Sequence, residues 1–263
     1  SDDRIKPAID LFLDTHIDHY IGVSGDEVVI DYYVVSAIDA LNRAGYDIDL
    51  LDYISLSDVE SYLEDLDYSM VTNIFKALVI ARVFDTDDTQ AKEALLALES
   101  VDTWAYAYAL MALNMVEGND TLYQSVKEDA LIIREEDYRD ADYAALTLLA
   151  LALEDVDKQA LFDLINDSLS EDGVVSWGSA NASSTANVII ALIGLGIDPT
   201  DSAYASSEVS LIDALLTFED DGAFKNYLEG DTDLLFATPQ GFAALSMYYA
   251  YMITGDDLNL FIG

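Results

Sequence analysis

Cysteine is absent from the 263 residues, which removes disulfides, zinc–thiolate sites, a thiol nucleophile and a thioester together. Basic residues are scarce: 11 Lys and Arg stand against 51 Asp and Glu, a net charge of −40. No stretch gathers more than one or two of them. Nucleic acid and anionic membrane surfaces are therefore not expected partners, since both require Lys/Arg clusters to meet phosphate. With only 3 Pro and 13 Gly, the collagen, linker and low-complexity classes are excluded. Long apolar runs are missing too. The longest uncharged stretch, Val174 to Ile197, is broken by Ser, Asn and Gly, so no membrane insertion is expected. The opening Ser1-Asp2-Asp3 carries neither the basic region nor the apolar region of a signal peptide.

Apolar residues nevertheless make up 52% of the chain, and the mean hydropathy is +0.20. Disordered acidic tails combine high charge with low hydrophobicity. This chain has only the first property, so it should fold around a sizeable core. Two readings fit the acidity: a saline habitat, or the solvated coat of an exported protein. The expected location is extracellular or at the cell surface, with a leader already removed.

Apolar residues recur at three and four throughout, the helical period. Twelve helical segments follow, near 5–20, 30–44, 50–66, 68–84, 88–100, 102–116, 122–135, 140–154, 157–169, 183–196, 207–219 and 237–254. They alternate in character. Those starting near 30, 68, 102, 140, 183 and 237 are apolar on nearly all sides and should be buried on all sides. The others carry one apolar stripe and one acidic face. This is a repeat of helical hairpins in two layers. An open solenoid needs polar terminal caps, whereas the first and last buried segments here are as apolar as the middle ones. The expectation is an all-α fold, a closed (α/α)6 toroid of six inner and six outer helices in one domain over 1–263. Gly45 and Gly196 serve as helix stops, Thr238-Pro239 as a helix start, and Asp102, Asp140 and Ser183 as N-caps.

Residues 171–200 contain a glycine–aromatic turn, Asp172-Gly173 to Trp177, leading into Ser184-Thr185-Ala186 at the start of an inner helix. Thr103-Trp104-Ala105-Tyr106 and Thr238-Pro239-Gln240-Gly241-Phe242 echo it. This pattern resembles the repeat of the terpenoid cyclase and protein prenyltransferase superfamily. Within it, the chain is most similar to the prenyltransferase-like domains of Gram-positive surface proteins, which are related to cobalamin carriers. The resemblance spans most of the chain as a pattern and is specific only over 172–200. It implies the same toroid.

The resemblance does not carry its chemistry with it. The cyclase acid motif aligns on Asn181, Ser183 and Ser184, none of which can serve as a strong acid. A literal Asp85-Thr86-Asp87-Asp88-Thr89 occurs elsewhere, after a buried helix, where it reads as a solvated turn capping the next helix. Its spacing also fails the calcium-loop pattern. His16 and His19 are the only histidines and lack a third zinc ligand, so they read as surface residues on the first helix. No phosphate loop or Ser/His/Asp set is present. No catalytic residue, metal or cofactor is assigned.

What remains is a mouth. Inner helices separated by single outer ones run parallel, so their N-termini gather at one end. Trp104, Tyr143, Ser184, Asn187 and Gln240, joined by Trp177, should open onto one depression. Two readings stay open there: a binding pocket, or helix caps and barrel filling by Tyr and Trp. The expected guest is a neutral small molecule or glycan held by backbone N–H groups, since the −40 field opposes free anions. The leading function is a non-catalytic ligand- or partner-binding module joined to other domains of a larger bacterial surface protein. The alternatives are an enzyme on the same scaffold and a structural spacer of a cell-wall protein.

Overall fold

The computed structural model describes residues 2–256 and 258–261, and among these twelve α-helices carry the chain. They are α1 (Asp2–Thr15), α2 (Tyr32–Arg43), α3 (Leu56–Glu64), α4 (Val71–Phe84), α5 (Thr89–Leu96), α6 (Tyr106–Met115), α7 (Asp120–Ala130), α8 (Ala141–Ala150), α9 (Gln159–Asn166), α10 (Ala182–Gly194), α11 (Leu211–Thr217) and α12 (Ala237–Thr254). Each falls within or close to one expected segment. None of them is long and apolar enough to cross a membrane.

The alternation of character is a difference in burial. Every residue of α10 from Ser184 to Ile193 is buried. The even-numbered helices touch in the order α2, α4, α6, α8, α10, α12, and α12 touches α2 again. α3, α5, α7 and α9 each bury a single row at four-residue spacing: Val59 and Leu63, Ala91 and Leu95, Leu122, Val126 and Ala130, Leu161 and Ile165. α1 packs on α12, while α5, α7 and α9 pack on the even helix that precedes each in the chain. α11 departs from the expected stripe, because Leu211, Ile212, Ala214, Leu215 and Leu216 are all buried.

Local chemistry trims the expected boundaries. The segment 50–66 is two elements, because Ser55 caps α3 by accepting from Asp58 N. Asp140 caps α8 as expected, but Asn181 rather than Ser183 caps α10, and Asp102 makes no side-chain cap bond. Gly45 and Gly196 both adopt positive φ after their helices. Pro239 sits at the third position of α12, within the first turn.

Small antiparallel sheets are the feature that helical periodicity does not reveal. β1 (Ile21–Ser24) and β2 (Glu27–Ile30) precede α2; β3 (Leu169–Ser170), β4 (Gly173–Ser176) and β5 (Ser179–Ala180) precede α10; β6 (Glu219–Asp220) and β7 (Ala223–Phe224) precede α12. The turns Trp177-Gly178 and Asp221-Gly222 have positive φ at both residues, the geometry that matches strand twist in a two-residue hairpin. Two of the sheets are tied to α10 and α12 in the same way. Thr185 Oγ1 accepts from Val174 N at 2.9 Å, and Thr238 Oγ1 accepts from Phe224 N at 2.9 Å. Gly173 has φ +119, and a Cβ there would lie 2.6 Å from Thr185 Oγ1, so glycine is required twice over.

Residues 258–261, after α12, pack against the ends of α8 and α4. Asn259 Nδ2 donates to Leu149 O near the end of α8, and Arg82 Nε near the end of α4 donates to Phe261 O. The Phe261 ring lies 5.4 Å from Tyr32, 5.1 Å from Tyr33 and 5.4 Å from Phe75. It is therefore packed among rings that belong to the starts of α2 and α4.

Replacing Thr185 or Thr238 by Val keeps the shape and strands one buried backbone N–H. Each substitution is expected to cost about 1–3 kcal/mol, read as a lowered urea midpoint with unchanged slope. A loss below a few tenths would show that these bonds do not hold the sheets to the helices.

Candidate functional site

The starts of all six even-numbered helices meet at one cleft. One lobe, of about 350 Å³, is lined by Asp31, Tyr32 and Tyr33 of the α2 start, Thr72 and Lys76 of α4, Tyr108 of α6, and Phe236, Pro239 and Gln240 of the α12 start. A second lobe, also about 350 Å³, adds Asp142 and Leu146 of α8, Asn181, Ser183, Ser184 and Asn187 of the α10 start, and Trp177, Asn226 and Tyr227 at the rim. Tyr33, Tyr108, Phe236 and Gln240 line both lobes.

A hydrogen-bonded chain crosses the second lobe. Tyr33 OH donates to Asn187 Oδ1 at 2.9 Å, Asn187 Nδ2 lies 3.5 Å from Asp142 Oδ1, and Ser184 Oγ donates to Asp142 Oδ2 at 2.8 Å. Ser184 and Asn187 are buried, at 1% and 8% exposure. Two polar atoms in the cleft, Gln240 Oε1 and Ser183 Oγ, are buried without a hydrogen-bond partner. Such atoms carry a desolvation cost that a bound molecule can relieve.

Burial sets the protonation of the cleft. It pushes the Asp31 carboxyl up to about 6, against the pull of the Val34 and Tyr33 N–H groups and the Lys76 ammonium. Asp142 is also raised, by burial first and by the neighbouring Asp140, while Ser184 and Asn187 oppose the rise. Burial likewise lifts Tyr32, Tyr33 and Tyr108 above the ordinary phenol range. The cleft thus offers two carboxylates that hold a proton more readily than usual, three phenols and several amides.

Four of the six residues expected at the mouth line this cleft: Trp177, Ser184, Asn187 and Gln240. Trp104 does not. It is 62% exposed and lines a separate depression with Ser69, Met70 and Asp102, beside the starts of α4 and α6. Tyr143 is also turned away, because its OH donates to Ala130 O at 2.7 Å and the Arg139 guanidinium lies 4.9 Å from its ring. The single depression expected for the first-turn residues is corrected to a cleft plus two outlying sites.

The expected role of backbone N–H groups is corrected as well. Ala182 N donates to Asn226 O, Ser183 N to Asn226 Oδ1 and Ser184 N to Asn181 Oδ1, so the N-terminus of α10 is already occupied. Asp31 takes Val34 N and Asp140 takes Tyr143 N. Asp31, Asp142, Tyr33, Tyr108 and Asn226 line the cleft beside the residues expected there. Their signal in the sequence is a polar or aromatic group within a turn or so of an all-apolar helix, or just after a Gly-containing hairpin.

Comparison of the chain with family models, with curated proteins and with solved structures gives no match in any of the three.

Asp85 and Asp87 are exposed and Asp88 is half-buried, outside this cleft. Asp87 accepts from Thr89 N and Oγ1, which holds its carboxyl below the usual range, and Asp88 pairs with Lys92 at 2.9 Å. Asp87 and Asp88 border a groove of about 280 Å³ between α3 and α5 instead. His16 lies just past α1, its Nε2 2.9 Å from Asp221 O, and His19 ends a short 3-10 turn. Among the described residues, no three His, Asp or Glu side chains converge as a metal set.

Asp31 gives a pH test. Its folded-state value is raised, so its contribution to stability is greatest below the ordinary carboxylate range and is lost as pH rises through about 6. Asn at this position still accepts from Val34 N. Asp31→Asn is expected to stabilise the chain above neutrality by roughly 2 kcal/mol, after allowance for partial exposure, and by almost nothing near pH 4. Thermal unfolding at both pH values checks this, and a gain that does not depend on pH contradicts it.

Proposed function

We propose that this chain is a non-catalytic module that binds a small polar molecule in the cleft at the starts of the even-numbered helices. The observation that carries the reading is the cleft itself, lined from all six helices and holding the unpartnered Gln240 Oε1 and Ser183 Oγ. The cyclic order of helix packing supports a closed α/α toroid, with Phe261 forming a floor so that the cleft is blind rather than a channel. Membership of the terpenoid cyclase and prenyltransferase superfamily is proposed on the 172–200 segment and on that packing order. An extracellular module of a bacterial surface protein, attached to further domains, fits the acidic surface and the absence of cysteine.

Trp177 favours binding over a spacer role. It stands at the rim, 84% exposed, in a left-handed conformation (φ 58) unusual for an aromatic residue. A strained, solvated aromatic beside a polar cleft serves recognition better than packing. One observation favours an enzyme as second reading: a carboxyl at about 6, such as Asp31, is suited to proton transfer near neutrality.

The two tryptophans report on two places, Trp177 on the cleft and Trp104 on the separate depression. A screen of polar small molecules followed by the two indole N–H resonances should find ligands that move Trp177 and leave Trp104. Asn tolerates the left-handed region, so Trp177→Asn should hold stability within about 0.5 kcal/mol of the parent while weakening those ligands. Ligands that bind the variant as well as the parent, or that move only Trp104, would remove the cleft from consideration.

A further inference from the structure

The charges within the second lobe are one-sided. Its lining residues include the carboxylate of Asp142 and no Lys or Arg. Asp142 has hydrogen-bond partners in Ser184 and Asn187 but makes none of the ion pairs found among the described residues. The nearby Arg139 is spent elsewhere: its side chain is buried against Asp129, Asp137 and the rings of Tyr106 and Tyr143. An ionised carboxylate in a half-buried site without a counter-charge is costly, and a cation brought to it relieves that cost.

Rings share the lining with amides and hydroxyls. Tyr33, Tyr108, Trp177, Tyr227 and Phe236 all border the lobe. Aromatic faces are electronegative and attract ammonium groups, most strongly where water is displaced. Gln240 Oε1, buried and unpartnered, is a further acceptor. At the starts of α10, α2 and α8, N–H groups that would have favoured an anion are taken by Asn226, Asn181, Asp31 and Asp140. The −40 field adds long-range attraction for cations.

A bare divalent metal is a poor fit, because the lobe supplies a single carboxylate, and among the described residues no three acidic or His side chains converge as a metal set. A neutral sugar could bond to the amides but would leave Asp142 without a counter-charge. The first lobe is different in kind, since Lys76 lies there and partly balances Asp31.

We propose that the second lobe binds an organic ammonium group, with the Asp142 carboxylate as its counter-ion among the rings of Tyr33, Tyr108, Phe236 and Trp177. This rests on the reading of the cleft as a binding site and names the charge class of its ligand. It replaces the neutral guest expected from helix N-termini set within the −40 field.

Choline and its neutral carbon isostere, in which a tert-butyl group replaces the trimethylammonium, separate charge from shape. Each is titrated into the full chain at fixed ionic strength while both indole N–H resonances are followed, with glucose as a neutral polyol. Choline should move Trp177 saturably, leave Trp104 in place, and bind roughly tenfold or more tightly than the isostere. Asp142→Asn should weaken choline by roughly tenfold or more and leave the isostere unchanged. Glu99→Gln makes the same change in net charge at an exposed position and should alter neither. Phe236→Leu removes an exposed ring and should weaken choline even if Asp142→Asn fails to fold. Equal binding of choline and the isostere, or equal losses in Asp142→Asn and Glu99→Gln, would overturn the proposal. If glucose moves Trp177 and choline does not, the charge class falls and the cleft reading stands. If none of the three probes moves Trp177, both fall.

Discussion

A helix without a polar face has to be surrounded, and α10 is the clearest case: ten consecutive buried residues, Ser184 to Ile193, leave no side for solvent. Its neighbours on either side are α8 and α12, and α11 and the β4 hairpin also pack on it. The same requirement applied to six helices produces the cyclic packing order. The burial then removes free choice at the helix ends. Local side chains cap three of these first turns, Asp31 for α2, Asp140 for α8 and Asn181 for α10. The polar groups left over at these ends, together with the rings beside them, make the cleft.

The small sheets follow from the same constraint. After α1, α9 and α11 the chain must reach the start of the next even-numbered helix. Hairpins before α2, α10 and α12 make that connection while pairing their backbone groups. Thr185 and Thr238 then accept a hairpin N–H from inside the core, so sheet and helix are held together by a bond shielded from water. The Trp177-Gly178 turn extends from one of these sheets, which places an aromatic side chain at the rim.

The few cations are used structurally. Arg139 and Arg134 converge on Asp129, and the hydrogen bond from Arg134 is the main reason its carboxyl falls to about 2. Arg4 donates to Leu216 O, and Arg82 joins Asp39 to Phe261 O. With so few Lys and Arg spent in this way, Lys76 is the one basic residue lining the cleft among the described residues. The same allocation explains Tyr143, whose ring is drawn to Arg139 and away from the opening.

The twelve helices and, apart from α11, their alternation of character were legible in the amino-acid order, because helical period and burial are both written locally along each segment. So was the exposed turn at Asp85 and Asp87, since a solvated cap needs only its neighbours. The hairpins were less legible: their strands are two to four residues long, too short for alternation to outweigh a helical pattern, although the Asp221-Gly222 and Trp177-Gly178 pairs mark their turns. Only the tertiary structure decided which first-turn side chains share the cleft. Tyr33 meets Asn187 across 154 positions of sequence and Ser184 meets Asp142 across 42, whereas Tyr143 is claimed by Arg139 and Ala130. It alone placed Phe261 beneath Tyr32 and Tyr33, and it alone gave Asp142 a half-buried site with no cation beside it. These are competitions between partners remote in sequence, and their outcome depends on distances that exist only once the helices have packed.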